Sequence, residues 1–137
     1  MENKEKLILN VEAKSSEELI KHKKGPGTRY VFSDHENNPE SGVYVSMRAI
    51  ENEDHPELFI EAHSHEYENL IIFKGKNPDL SGLEVEVLLG DQWYNIQSPK
   101  AIRIPPGVNH NYRIIRGSGE FWNIILAPGG DYNKAIR

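Results

Sequence analysis

Residues 61 to 75 read EAHSHEYENLIIFKG, and how this stretch divides decides the fold. Its second half, ENLIIFKG, is a short apolar run closed by a glycine, the signature of a strand with at least one buried face. Its first half carries His63 and His65. Successive side chains of a strand alternate between faces, so these two imidazoles point the same way, about 6.5 to 7 Å apart along the chain. At that separation both can converge on one ion bound between them. Glu66, Glu68 and Asn69 crowd the junction between the histidines and the apolar run.

Working outward, the rest of the chain is punctuated in the same way. TRYVFS, VYVSMRAI, LFIEAHSH, LEVEVLLG, DQWYNIQ, KAIRI, HNYRII and EFWNIILA are each bounded by Gly, Pro, Ser or Asn clusters, giving about nine or ten short strands with ENLIIFKG and an N-terminal KLILNV. LEVEVLLG alternates strictly, with Leu83, Val85 and Val87 on one face and Glu84 and Glu86 on the other. Only SSEELIKH, residues 15 to 22, reads as helix: Ser15 and Glu18 form a capping box, and GPG ends it. Many short strands with almost no helix make an all-β sandwich or barrel. We expect residues 1–27 to form an N-terminal strand and one short helix packing on a barrel over 28–137.

The 137 residues suit one domain. No apolar run approaches membrane-spanning length, and the N-terminus is charged from its second residue, which is unlike a secretory leader. A cytoplasmic location with no membrane partner is the expectation. A net charge of -5 disfavours nucleic acid, which clustered basic charge would bind. With no cysteine, any metal must use imidazole, carboxylate or amide ligands. No serine-centred triad, phosphate-cradling glycine loop or dinucleotide fingerprint is present.

A third histidine joins the pair through IRIPPGVNH, residues 102 to 110. Pro105-Pro106-Gly107 makes a tight turn and delivers His110 to the start of the next strand. A third neutral imidazole on a separate strand closes the triangle that a divalent ion needs. His22, His35 and His55 lie in polar, turn-like sequence and read as surface residues.

The two segments together resemble the paired signature motifs of the cupins: His-x-His, a glutamate, then a glycine, followed by Pro-x-Gly-x-x-His. The resemblance implies a double-stranded β-helix (jelly-roll) barrel with one divalent metal ion, Fe, Mn, Zn or Ni, held inside by His63, His65 and His110, and it matches Gly75 to the glycine that closes the first motif. This chain departs from the pattern in three places. The glycine expected before Pro105 is absent, with Ser98-Pro99 making that turn instead; Ile114 replaces an asparagine that often follows the third histidine; and the glutamate position is ambiguous. Counting from His65 lands on Asn69, and counting back from Gly75 lands on Glu68. Strand parity places Asn69 on the face of His63 and His65, whereas Glu68 reaches it only through a bulge, so Asn69 is favoured as the fourth ligand. An amide leaves the ion's double charge uncompensated, and such a site suits an anionic substrate.

Arg48 and Tyr112 are the candidate substrate contacts. A guanidinium is suited to carboxylate or phosphate, although a single Arg, at 48 or at 103, can equally face solvent. Tyr112 shares parity with His110. The resemblance implies a metal-dependent enzyme of oxygenase, isomerase or lyase type acting on a small anionic metabolite. The alternatives are a non-catalytic small-molecule-binding cupin and one that has lost its metal. A homodimer is expected by analogy, with KLILNV adding to a partner's sheet edge.

Overall fold

The structure, a computed structural model, describes residues 4–14, 29–39, 42–53 and 66–126. The helix expected over 15–22, both His63 and His65, and the polar C-terminal tail lie outside the described residues. Among the described residues, a single helical turn at Lys4–Leu7 is followed by eight strands: β1 (Glu12–Lys14), β2 (Arg29–Ser33), β3 (Val43–Glu53), β4 (Asn69–Gly75), β5 (Leu83–Leu89), β6 (Gln92–Gln97), β7 (Lys100–Ile104) and β8 (His110–Leu126).

The strands form two layers joined through β8. One layer has the order β1-β2-β3-β8-β4-β7, and β5 pairs with both β6 and β8 to make the other. All pairings are antiparallel. This is an all-β jelly roll. The sequence reads HNYRII and EFWNIILA as two strands, but they are one strand of 17 residues. Its first half, from His110 to Gly117, pairs with β5, and its second half, from Gly117 onward, lies between β3 on one edge and β4 on the other. Gly117 is where it changes layer. Its φ is +110°, and a Cβ there would lie 2.1 Å from the carbonyl oxygen of Gly82, so only glycine lets the strand bend at this contact.

The expected N-terminal strand is also revised. Lys6 and Leu7 end a helical turn closed by the Ile8 amide on the Glu5 carbonyl at 3.0 Å, and residues 9–11 carry no regular structure. The strand is the shorter β1, which pairs with β2 of its own chain.

Period-two patterning sets the core. β4 buries Asn69, Ile71, Phe73 and Gly75, and β5 buries Leu83, Val85 and Val87. Phe73 is fully buried against Phe121 and Tyr112, with ring centroids 5.2 and 6.1 Å away. Tyr112 stacks on Phe121 at 4.5 Å. The apolar cluster spans both layers, with Ile50, Ile104 and Ile114 completing it. A single interior therefore lies between the two layers, and polar side chains project into it.

Candidate metal and ligand site

The turn that carries the third histidine forms as its sequence dictates. Ile104 ends β7, the Val108 amide closes the turn on the Pro105 carbonyl at 3.3 Å, and β8 opens on His110. His110 is buried and shares parity with Tyr112 and Ile114, both in the core cluster. Its Nδ1 lies 3.0 Å from the Val108 carbonyl oxygen. A carbonyl only accepts, so Nδ1 carries the proton of this contact, and a neutral ring so oriented has its lone pair on Nε2. This is the tautomer that metal-ligating histidines adopt when a backbone carbonyl orients them.

Asn69 is the first residue of β4 and is 2% exposed. It sits opposite Ile104 on β7 and Ile125 on β8, so it occupies the end of the barrel from which the His110 turn departs. The oxygen of its amide is buried. Glu68 points the other way: its carboxylate accepts from the Arg103 guanidinium on the outer surface, where Arg103 is 66% exposed. Among the described residues, then, Asn69 faces the interior and Glu68 is engaged outside. Arg103 takes the solvent-facing alternative.

Arg48 does not. It is 5% exposed and faces inward, opposite Phe121 on one side and Arg29 on the other. It lies near enough to the Tyr112 hydroxyl to act on that group's ionisation. Burial pushes that hydroxyl above its ordinary pKa, with the charge and hydrogen bond of Arg48 pulling partly back. Arg48 and Tyr112, the two candidate substrate contacts, therefore meet in the interior.

Three further interior polar residues were not singled out by sequence. Arg29, at the start of β2, is 4% exposed and donates from Nη1 to the Tyr44 hydroxyl at 3.0 Å. Burial raises the pKa of Tyr44, opposed by the Arg29 charge and by hydrogen bonds from Ser46 and Arg29. Asn123, in the middle of β8, is 6% exposed, and its Oδ1 is buried with no hydrogen-bond partner among the described residues. Its signal was parity with Phe121 and Ile125 inside an otherwise apolar strand. A buried, unmatched amide oxygen is a rarity that points to a ligand or water donor in the interior.

Among the described residues the buried charged side chains are Arg29, Arg48 and Asp34. Asp34 is committed to its own turn, where Oδ1 accepts the amides of Glu36 and Asn37 at 3.0 and 3.1 Å. No group of three His, Cys, Asp or Glu that could hold a metal ion occurs among the described residues. The described half of the expected donor set is of a kind that fits an ion: an imidazole and a buried amide oxygen are nitrogen and oxygen donors suited to a divalent metal.

No family model matches the sequence, and no curated protein is similar to it. Solved structures do match. A cupin 2 domain-containing protein from Halorhodospira halophila is 14% identical, with a TM-score of 0.56 over 74% of this chain and 65% of that one. A cupin-2 domain from Rhodospirillum rubrum is 12% identical, with a TM-score of 0.55 over 87% and 70%. A variant of oxalate decarboxylase from Bacillus subtilis is 12% identical, with a TM-score of 0.57 over 95% of this chain and 33% of that one. Identities this low speak for the fold alone, and the fold is that of a cupin. No helix among the described residues is long and apolar enough to cross a membrane.

Proposed function

We propose that this cupin-fold chain is a metal-dependent enzyme acting on a small anionic metabolite. In this reading His63, His65 and His110 hold one divalent ion, and Asn69 is the fourth, neutral partner. Arg48 and Tyr112 receive the substrate's anionic group deeper in the barrel. The ion, when bound, supplies Lewis-acid or redox chemistry of oxygenase, isomerase or lyase type.

One arrangement carries the reading. His110, with its Nδ1 tied to Val108, and Asn69 share an end of the barrel, while buried Arg48 lies inside it near Tyr112. A buried guanidinium offers paired N–H donors with the geometry of a carboxylate or phosphate. Tyr112, held protonated by burial, adds a donor beside it.

A second reading, a non-catalytic binding module, draws on that same tyrosine. A hydroxyl whose pKa is raised is a hydrogen-bond donor at neutral pH and is not poised to remove a proton.

The test is elemental analysis of protein purified without added metal, beside the His110→Ala variant. The proposal requires near-stoichiometric metal in the parent and its loss in the variant; equal occupancy in both sinks the assignment. Oxygen uptake and turnover with small carboxylates and phosphates then separate enzyme from binding module.

A further inference from the structure

The second half of β8 runs through the middle of its layer and turns Phe121, Asn123 and Ile125 inward. Phe121 and Ile125 are apolar core, and Asn123 between them is not. It is 6% exposed, and its Oδ1 has no hydrogen-bond partner among the described residues. Ser46 stands directly opposite on β3 and Ile71 directly opposite on β4, and the Ser46 hydroxyl does not serve it. Asn111, the other buried asparagine of this strand, is accounted for, since its Oδ1 accepts the Tyr112 amide at 2.8 Å. A buried acceptor left unmatched is costly, and a valine or isoleucine at residue 123 would carry no such cost. The amide is explained by a donor that enters the interior.

Register places that donor. Along β8, Asn123 is two residues from Phe121, which faces Arg48 on β3, and two residues from Ile125, which faces Asn69 on β4. It is thus the diagonal neighbour of both, at about 7–8 Å between Cα atoms. Asn69 lies at the end of the barrel shared with His110, and Arg48 lies further in. A ligand that reaches from one to the other passes over Asn123.

We propose that the interior binds a hydroxylated carboxylate, its carboxylate on Arg48 and a hydroxyl donating to the Oδ1 of Asn123, so that Asn123 selects hydroxy acids over their deoxy counterparts. This rests on the proposed function for the placement of the anionic group on Arg48. A hydroxyl supplies the missing donor without bringing a second positive charge beside a buried guanidinium, where an ammonium would be repelled. One guanidinium carries one positive charge, which one carboxylate balances, whereas a phosphate ester brings about −1.5 to −2. Arg29, the other buried guanidinium, donates to the Tyr44 hydroxyl.

Isothermal titration calorimetry of the full chain with paired acids tests the proposal: lactate against propionate, malate against succinate, gluconate against hexanoate. In at least one pair the hydroxylated member should bind about tenfold more tightly or better, the scale of one buried hydrogen bond to an otherwise unmatched group. Asn123→Leu should erase that preference by weakening the hydroxylated member to the level of its counterpart. Should this variant fail to fold, Asn123→Ala removes the amide without adding volume and is read in the same way. Absence of binding by every acid, or equal binding within every pair, overturns the inference, and so does a preference that survives in a folded Asn123 variant. Failure of the metal assignment is distinguishable. A parent without metal that keeps the preference sinks the metal site and leaves this inference standing, and a metal-bearing parent without the preference does the reverse.

Discussion

Replacing Asn69 with aspartate changes the candidate site by one charge and almost no volume, and its consequences can be worked out in advance. Asn69 is 2% exposed at the inner start of β4, so the new carboxylate is created in a largely dry environment. Full burial raises a carboxyl pKa by about 3–5 units from its unfolded value near 3.9. Linkage then limits the loss of stability at pH 7 to about 1.36 kcal/mol for each of the ~3 pH units above 3.9, a ceiling of about 4 kcal/mol. For a domain of this size that lowers the melting temperature by roughly 10 to 15 °C. The sign follows from the raised folded-state pKa. The deficit is absent below about pH 4, where the group is protonated in both states, and it grows as pH rises toward the folded-state value. A divalent ion beside residue 69 reverses the penalty, because the carboxylate then neutralises charge it could not neutralise as an amide. Metal at a hundredfold excess over its dissociation constant returns about 2.7 kcal/mol. The assay is calorimetry of parent and variant between pH 4 and pH 8, with chelator and with each candidate metal. Two results refute the reasoning. A variant as stable as the parent at pH 7 in chelator shows that the position is wet. A destabilised variant indifferent to every metal shows that residue 69 does not face the ion.

Two further outcomes are expected. The raised pKa of Tyr44 means that its stabilising contribution is fully present below about pH 10 and is lost as pH rises through its folded-state value. Ultraviolet titration of tyrosinate should therefore show Tyr44 ionising only together with loss of circular dichroism; early, reversible ionisation of Tyr44 contradicts its burial. Gly75→Ala should destabilise the fold by at least about 1–3 kcal/mol, the usual cost of overpacking, because a Cβ at residue 75 would lie 2.0 Å from the Ser81 carbonyl oxygen and 2.6 Å from Ser98 Oγ. Urea unfolding with an unchanged midpoint would count against that contact.

Where local pattern and tertiary role coincide, the sequence is legible. β5 alternates because one of its faces is core, and the resulting parity is enough to place Leu83, Val85 and Val87 inside. The same parity places Asn69 inward and Glu68 outward, where counting along the motif gives two answers. Legibility fails where both faces of a strand are apolar. In VYVSMRAI, Val43, Val45 and Met47 point out while Tyr44, Ser46 and Arg48 point in, so hydrophobicity cannot say which way the arginine faces. Asn123 is hidden among Trp122, Ile124 and Ile125 for the same reason. The glycine-serine-glycine at 117–119 reads as a turn between two strands, but the positive φ of Gly117 only bends a strand that continues through it. KLILNV looks like a strand because it is apolar, yet Leu7 and Ile8 are 71% and 77% exposed, and apolar residues without a buried face carry no information about register.

The candidate site and the outer face of the same sheet share their strands, and this couples them physically. β4 alternates Asn69, Ile71 and Phe73 toward the interior with Leu70, Ile72 and Lys74 toward the outer face, and β8 does the same with Asn123 and Ile125 against Trp122 and Ile124. Because the side-chain period is two, a slip of one residue exchanges the two sets completely. What prevents the slip in β4 is its glycine end. The Gly75 amide donates to the Leu80 carbonyl at 2.8 Å, and the Ser81 carbonyl presses where a Cβ would stand, so only residue 75 can occupy that place. The glycine that closes the sequence motif lies six residues from Asn69 and does not touch it, but by fixing the register of β4 it determines that an amide faces the barrel while a leucine faces outward.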